Sequence, residues 1–159
     1  MARKDITMTD AEVEAYLAEG AKTLIVTTLG NDGHPHTAPM WYAMDDGLVV
    51  FRSFTKSQKI VNLHRDDRIT VLVETGASYG ELRGVMIRGR ARLDDDPAVV
   101  LDLYGRLAAR YPMVGDTPMD LDTDALEAAF GRFASKNTAV RVIPERFTTW
   151  DHTKLGGAY

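Results

Sequence analysis

Two short turns, each beside a run of β-branched and apolar residues, constrain this chain more than any other feature. Asn31-Asp32-Gly33 follows such a run at residues 23–29, and Asp45-Asp46-Gly47 precedes another at residues 48–54. Turns of this composition join neighbouring antiparallel strands as hairpins. Parallel strands need long crossover connections instead. Consecutive hairpins therefore exclude a doubly wound parallel sheet and predict a mainly antiparallel β structure.

The rest of the chain adds further strands and a set of helices. Residues 85–93 alternate strictly, with Val85 and Ile87 on one face and Arg88 and Arg90 on the other. Thr9 and Glu12 have the spacing of a capping box that begins a helix. The predicted strands are residues 23–29, 34–43, 48–54, 68–74, 85–93, 138–143 and 147–150, and the predicted helices are residues 9–19, 57–64, 97–110 and 124–134. Together they predict a small antiparallel barrel with peripheral helices, in one domain covering residues 1–159.

Composition removes several classes of protein. The net charge of −4 argues against a general nucleic-acid binder, which is normally basic. The chain has no Cys, so disulfides and thiolate metal sites are excluded. It also has no apolar run long enough to span a membrane. Met1–Asp5 are mostly polar and lack the apolar core of a signal peptide, so we expect a cytoplasmic protein.

A basic cluster marks the first candidate site. Arg52, Lys56, Lys59 and Arg65 give residues 52–65 a charge of +4, with no acidic residue among them. The cluster spans the end of a predicted strand and a predicted helix start, where free backbone N–H groups and the hydroxyls of Ser53, Thr55 and Ser57 also gather. Such a combination binds phosphate. The alternative is a solvated helix start with ordinary surface lysines.

Aromatic residues mark the second candidate site. Pro39-Met40-Trp41-Tyr42 ends a predicted strand with a large flat apolar surface, and Trp150 lies in the last predicted strand. These side chains suit a planar ring ligand, although a lone Trp is more often part of a core. His34 and His36 can share one strand face but have no third ligand nearby in the sequence, so we expect no metal site.

The order of these motifs resembles a known superfamily. GHPHTAPMWY, a DG turn, FRSFTKSQKIVNLHRDDRITVLVE and YGELRGVMIRGRARL resemble the pyridoxamine 5′-phosphate oxidase-like, FMN-binding split-barrel proteins. The most specific stretch is S-x-K-x-x-N-L-x-R-D-x-R, which begins at Ser57 and ends at Arg68. The PMWY strand and the ending WDHTKLGGAY are most similar to the flavin/deazaflavin oxidoreductase B group, which uses coenzyme F-420.

The resemblance implies an antiparallel split β-barrel of six to seven strands, mainly β (α+β), that forms a homodimer with the cofactor sites at the subunit interface. It implies that Ser57 and Lys59 hold the cofactor phosphate and that Trp150 and Lys154 approach from the second chain. The residues expected to bind the cofactor are Pro39, Met40, Trp41, Arg52, Ser53, Phe54, Lys56, Ser57, Lys59, Trp150 and Lys154. A basic rim made by Arg52, Lys56, Lys59 and Arg65 would attract the polyanionic tail of F-420.

The function implied by the resemblance is hydride transfer from reduced F-420 to an electron-poor small molecule such as an enone, lactone or quinone. The alternatives are an FMN-dependent oxidoreductase on the same fold and a non-enzymatic carrier of F-420 or haem, with His36 or His152 as the haem ligand. The sequence identifies no catalytic residue, because Tyr42, His36 and solvent are all possible proton donors. The substrate-phosphate residues of pyridoxamine phosphate oxidase have no match here, so oxidation of vitamin B6 is not expected.

Overall fold

The computed structural model describes residues 5–157, in which seven strands and four α-helices form a single sheet with helices packed around it. Residues 1–4 and 158–159 of the predicted domain lie outside the described part. Residues 1–4 make up most of the polar N-terminal stretch from which we expect a cytoplasmic protein. The strands are β1 (Leu24–Leu29), β2 (Pro35–Met40), β3 (Ala43–Asp45), β4 (Leu48–Phe54), β5 (Arg68–Thr75), β6 (Arg83–Asp94) and β7 (Asn137–Asp151). The helices are α1 (Asp10–Ala18), α2 (Gln58–Arg65), α3 (Pro97–Ala108) and α4 (Thr123–Ala134), with 3₁₀ turns at Tyr79–Glu81 and His152–Leu155.

The order of strands explains why the sheet curls into a barrel. The order of strands across the sheet is β2-β1-β5-β6-β7-β4-β3, and every pair of neighbouring strands is antiparallel. The two edge strands, β2 and β3, are consecutive in the chain and are separated by only two residues. Three Cα steps span at most about 11 Å, so the two edges of the sheet must come close together. The predicted antiparallel split barrel with peripheral helices is therefore confirmed, and it has seven strands.

One predicted strand is wrong because it is two strands. Residues 34–43 were expected to be continuous, but Trp41 and Tyr42 interrupt them and carry the chain from one sheet edge to the other. Tyr42 is fully buried, and its Oη donates to the carbonyl oxygen of Leu17 at 2.8 Å. This anchor in the core fixes the crossing point, which the alternation of residue types does not reveal.

The opposite error occurs at the last strand. Residues 138–143 and 147–150 were predicted as two short strands around Pro144, but they belong to one strand of 15 residues, β7. The register with β6 shifts between Arg88 and Gly89, where Gly89 lies opposite Pro144. A bulge of this kind tolerates a residue that has no N–H to donate. A side chain at Gly89 would also collide with the backbone of Ile143, so the glycine permits the close approach.

The main core fills the barrel. It is formed by one face of each long strand, together with buried residues of α1 and α2, and its largest fully buried side chains are Tyr16, Tyr42, Phe51, Leu24 and Ile60. A second apolar cluster lies between α3, α4 and the outer side of β4 and β7, and it contains Val100, Leu103, Tyr104, Leu107, Tyr111 and Phe130. The barrel is thus covered by helices on one side, while no helix of residues 5–157 packs on the outer face of β1, β5 and β6.

The helices begin where the sequence predicted. Thr9 caps α1 and forms the expected capping box with Glu12, and Asp96 caps α3, in which Pro97 is the first residue. Ser57 occupies the N-cap position of α2. Within residues 5–157, no helix has the length and hydropathy required to cross a membrane.

Candidate functional site

The end of β4 and the start of α2 bring three of the predicted phosphate-binding side chains together. The hydroxyl oxygens of Ser53 and Ser57 are 3.0 Å apart, and Nζ of Lys59 donates to Oγ of Ser53 at 3.3 Å. Ser57 is the N-cap residue but its hydroxyl makes no capping hydrogen bond, so the hydroxyl is available to another partner. The first turn of α2 contains no acidic residue. We name Ser53, Ser57 and Lys59 the anion cluster.

The electrostatics of the anion cluster favour a negatively charged ligand. Lys59 is half-buried, and burial lowers the pKa of its ammonium group. Among the described residues, no carboxylate forms an ion pair with Lys59. A partly desolvated cation next to two hydroxyls and a helix N-terminus can bind a phosphate through charge-assisted hydrogen bonds.

A buried polar chain fixes α2 against the barrel. Asn62 is fully buried, accepts a hydrogen bond from Gln58 at 2.8 Å and donates to the hydroxyl of Thr28 in β1 at 3.0 Å. At the other end of the helix, Arg65 donates to the carbonyl of Leu29. Arg65 therefore serves the α2–β1 contact and does not lie with Lys59 in the predicted basic cluster.

Two predicted residues near the anion cluster are solvent-exposed. Lys56 lies in the turn before α2, and Phe54, at the end of β4, is 58 % exposed. An apolar ring this exposed is free to contact a ligand or another chain.

The second candidate site is a cavity of about 340 Å³ on the other side of β4. It is lined by Thr23, Pro39, Met40, Trp41, Arg52 and Leu107. The structure thus brings Arg52 together with the predicted ring-binding strand. Because side chains alternate along a strand, Arg52 and Ser53 lie on opposite faces of β4. Arg52 lines the cavity, whereas Ser53 belongs to the anion cluster on the opposite face of β4. We name the 340 Å³ space the ring cavity.

A stacked aromatic pair forms one wall of the ring cavity. Trp41 is 42 % exposed, and its ring stacks on the buried ring of Tyr111 with centroids 4.7 Å apart and an interplanar angle of 8°. The Tyr111 hydroxyl donates to the carbonyl oxygen of Lys22 at 2.6 Å. Sequence reasoning missed Tyr111, because it lies at the start of a polar loop with no pattern to link it to Trp41. Trp41 lines the cavity, and the buried Tyr111 ring supports it from behind.

Arg52 is held firmly but is incompletely bonded. Its guanidinium lies over the Tyr104 ring, with Cζ 4.1 Å from the centroid, and Nη1 donates to Oδ1 of Asn137 at 3.0 Å. Nε is buried and has no hydrogen-bond partner among the described residues. Burial lowers the pKa of Arg52, and the neighbouring Tyr104 acts in the opposite direction. Tyr104 and Asn137 were not identified from the sequence, where nothing distinguishes them from other core residues.

Trp150 and Lys154 lie far from both sites within one chain. β4 pairs with β7 at Arg52 and Ala139, whereas Trp150 pairs with Gly84 eleven positions further along β7. That separation is about 36 Å of strand path. Lys154 binds Oε2 of Glu12 at 2.7 Å and the carbonyl of Thr7 at 2.7 Å. Neither residue reaches the anion cluster of its own chain.

The side chains proposed as proton donors differ in how far they are exposed to solvent. Tyr42 is fully buried, and burial raises its pKa to about 12, although Arg110 donates to its oxygen at 3.0 Å. Tyr42 therefore has no solvent-exposed surface. His36 is half-buried in edge strand β2. Nδ1 of His152 lies 2.8 Å from the carbonyl oxygen of Tyr79.

His34 and His36 are two residues apart and offer two imidazole groups close together in the sequence. Across residues 5–157, no group of three or more His, Cys, Asp or Glu side chains is arranged to hold a metal ion.

The chain is similar in sequence and in structure to known proteins. The family model described as pyridoxamine 5′-phosphate oxidase matches residues 9–150. A conserved hypothetical protein, Rv2991 from Mycobacterium tuberculosis, is 36% identical with a TM-score of 0.85, and the match covers 97% of this chain and 91% of that one. No curated protein matches the sequence at a significant level.

More distant solved structures share the fold. One is named an F-420 reductase, with 23% identity and a TM-score of 0.63 over 84% of this chain and 94% of that chain. Another is a heme binding protein from Mycobacterium smegmatis, with 16% identity and a TM-score of 0.58 over 94% of this chain and 61% of that chain. The family model spans most of this chain, including the anion cluster and the ring cavity. The chain therefore belongs to the pyridoxamine 5′-phosphate oxidase family.

Proposed function

We propose that the protein is an F-420-dependent oxidoreductase that transfers a hydride from reduced F-420 to an electron-poor small molecule. The anion cluster is the observation that carries this proposal, because it combines a cation without a carboxylate partner, two hydroxyls and a helix N-terminus. Such an arrangement is suited to a phosphate group, which flavins and F-420 both contain. The ring cavity lies on the adjoining face of β4 and offers a flat apolar surface.

Each residue has a defined part in this proposal. Ser57 and Lys59 hold the cofactor phosphate, and Ser53 orients them through its hydrogen bonds. The strand that carries Pro39, Met40 and Trp41 runs beside the cofactor's ring system, and the free face of Trp41 is left to the acceptor. The bound cofactor supplies the hydride chemistry, while the chain supplies binding, orientation and exclusion of water.

F-420 is preferred over FMN for two reasons. The polyanionic tail of F-420 gains more from exposed cations than a single phosphate does, and Lys56 is exposed beside the anion cluster. One structure with the same fold is named an F-420 reductase. Arg65 donates to the carbonyl of Leu29 at the far end of α2 and keeps its positive charge.

The proposal includes a homodimer. Trp150 and Lys154 are distant from the site of their own chain, so they can contribute only to the site of a second copy. Lys154 already binds Glu12, and it would approach the cofactor as part of an ion pair.

The proposed acceptor is an enone, a lactone or a quinone, because each accepts a hydride at an electron-poor carbon. The accompanying proton comes from solvent or from His36, since Tyr42 is buried and its pKa is raised.

Titration of the purified, cofactor-free protein with F-420 and with FMN, followed by ligand fluorescence, tests the proposal. We expect F-420 to bind at least tenfold more tightly than FMN. A preference for FMN would indicate that the same site belongs to an FMN-dependent enzyme, which would purify yellow. Tight F-420 binding without oxidation of reduced F-420 by any enone, lactone or quinone would instead indicate a carrier.

A further inference from the structure

We infer that the ring cavity is an acceptor subsite that selects a planar conjugated organic acid, with Arg52 binding the carboxylate and Trp41 stacking on the conjugated body. This inference rests on the proposed function, because it gives a substrate class to the same site. A carboxylate-bearing enone or another α,β-unsaturated acid belongs to this class.

The first argument is the unused bonding capacity of Arg52. Its guanidinium uses Nη1 for Asn137 and one face for Tyr104, and it keeps further N–H groups without a partner among the described residues. Within the described part of the chain, Arg52 forms no ion pair, although ten ion pairs are formed by other residues. Partial desolvation of a cation that has no counter-ion costs free energy. An anionic ligand in the cavity would offset that cost.

The second argument is the charge of the cavity lining. Arg52 is the one charged side chain among the six residues that line it, and Pro39, Met40, Trp41 and Leu107 are apolar. A single positive charge in an apolar lining favours a ligand with one negative charge and an apolar body. A phosphate group with its larger charge and hydration fits the anion cluster better than this lining.

The third argument is the shape of the wall. Trp41 is exposed on one face and is supported on the other by Tyr111, which is itself fixed by the carbonyl of Lys22. A supported ring loses little freedom when a planar ligand stacks on it. The volume of about 340 Å³ accommodates a small conjugated acid but not a whole cofactor with its tail.

Two isosteric probes test the inference. Trans-cinnamate and its neutral amide, trans-cinnamamide, differ in charge but not in shape, and calorimetry on the cofactor-free protein gives their affinities. We expect cinnamate to bind at least tenfold more tightly, as charge-assisted hydrogen bonds provide. Arg52→Met should abolish this preference, because it removes the guanidinium and keeps an unbranched side chain at this position. Equal affinities in the unmodified protein would overturn the inference.

Two further variants keep the test decisive. Arg132→Met removes an exposed arginine from α4 and should leave the preference for cinnamate unchanged. Trp41→Leu should weaken both probes by a similar factor, because it removes the stacking surface and not the charge. Loss of the preference in Arg132→Met would show that the overall charge of the protein, not Arg52, selects the acid.

A competition experiment separates an acceptor subsite from a second contact to the cofactor. We expect cinnamate to bind protein saturated with F-420, with affinity within about threefold of the cofactor-free value. Displacement of F-420 by cinnamate would overturn the inference, since Arg52 would then belong to the cofactor site. F-420 binding without cinnamate binding would remove the subsite but keep the proposed function. Cinnamate binding without F-420 binding would overturn the proposed function and the acceptor role.

Discussion

At the scale of single residues, Lys59 is the side chain on which cofactor binding depends most. It is half-buried, contacts Ser53 and has no carboxylate partner among the described residues. We expect Lys59→Ala to weaken F-420 binding by about tenfold or more, because a charge-assisted hydrogen bond contributes about 1.5–3 kcal/mol. Arg132→Ala, which removes an exposed cation on α4, is the control in the same fluorescence titration. Unchanged affinity in Lys59→Ala would remove this residue from the site.

Because Tyr42 is buried, we expect its ionisation to make the free energy of unfolding depend on pH. Its pKa is raised to about 12 in the folded chain, mainly by burial, against about 10 when unfolded. The folded state therefore holds this proton more tightly, and the stabilisation is present below pH 10 and is lost as the pH rises from 10 to 12. The expected loss is about 2 kcal/mol. Denaturant unfolding between pH 8 and 12 measures it.

The matched comparison for this effect is Tyr42→Phe, which cannot ionise at that position. Its free energy of unfolding should be lower at neutral pH, because the hydrogen bonds to Leu17 and Arg110 are lost. The difference between the two proteins should shrink between pH 10 and 12. A constant difference across this range would show that Tyr42 does not titrate there.

At the scale of elements, the sequence predicts the helices and the interior strands well, since their patterns are local. Helix caps such as Thr9 and Asp96 depend only on residues that are neighbours in the sequence. The same is true of the alternation of buried and exposed residues in β6. The errors lie where tertiary contacts decide. Tyr42 divides one predicted strand because it is anchored to α1, and Pro144 remains within β7 because Gly89 provides a bulge opposite it.

The candidate site likewise has one part that the sequence predicts and one part that only tertiary contacts bring together. Ser57 and Lys59 are close in sequence, so their motif predicts their proximity, which the structure bears out through Ser53. The ring cavity combines Trp41 and Arg52 with Tyr111 and Leu107, which are distant in sequence. Arg52 and Ser53 lie on opposite sides of β4 because side chains alternate along a strand, and the strand predicted at residues 48–54 already implies this arrangement.

The contact between β6 and β7 gives a prediction at this scale. The Trp150 ring lies flat over Gly84, and a methyl group on Gly84 would collide with Cζ2 of that ring. We expect Gly84→Ala to displace Trp150 and to cost about 1–3 kcal/mol of stability. Gly80→Ala is the control, because no atom lies within 4 Å of its added methyl group. Trp fluorescence and thermal unfolding report the two effects, and a Gly84→Ala protein identical to the parent in both would contradict this packing.

At the scale of the whole molecule, one face of the barrel is not covered by helices. Ile25, Leu72 and Met86 are register partners on β1, β5 and β6, and all three point away from the barrel core and are half-buried. The neighbouring row on the same face is Thr27, Thr70 and Arg88. A stripe of apolar side chains beside polar ones is typical of a surface that pairs with its own copy.

This surface predicts the oligomeric state. We expect the protein to have twice the 17.6 kDa chain mass in light scattering coupled to size exclusion. Leu72→Glu should shift it to monomers, because it places a charge in the middle of the apolar row while the barrel core keeps Val71 and Val73. Val99→Glu makes the same chemical change at an exposed position on α3 and should leave the dimer intact. If Trp150 and Lys154 complete the site of the second chain, the Leu72→Glu monomer also binds F-420 more weakly. A dimeric Leu72→Glu protein would exclude this face as the interface, and a monomer with full affinity would show that each chain holds a complete site.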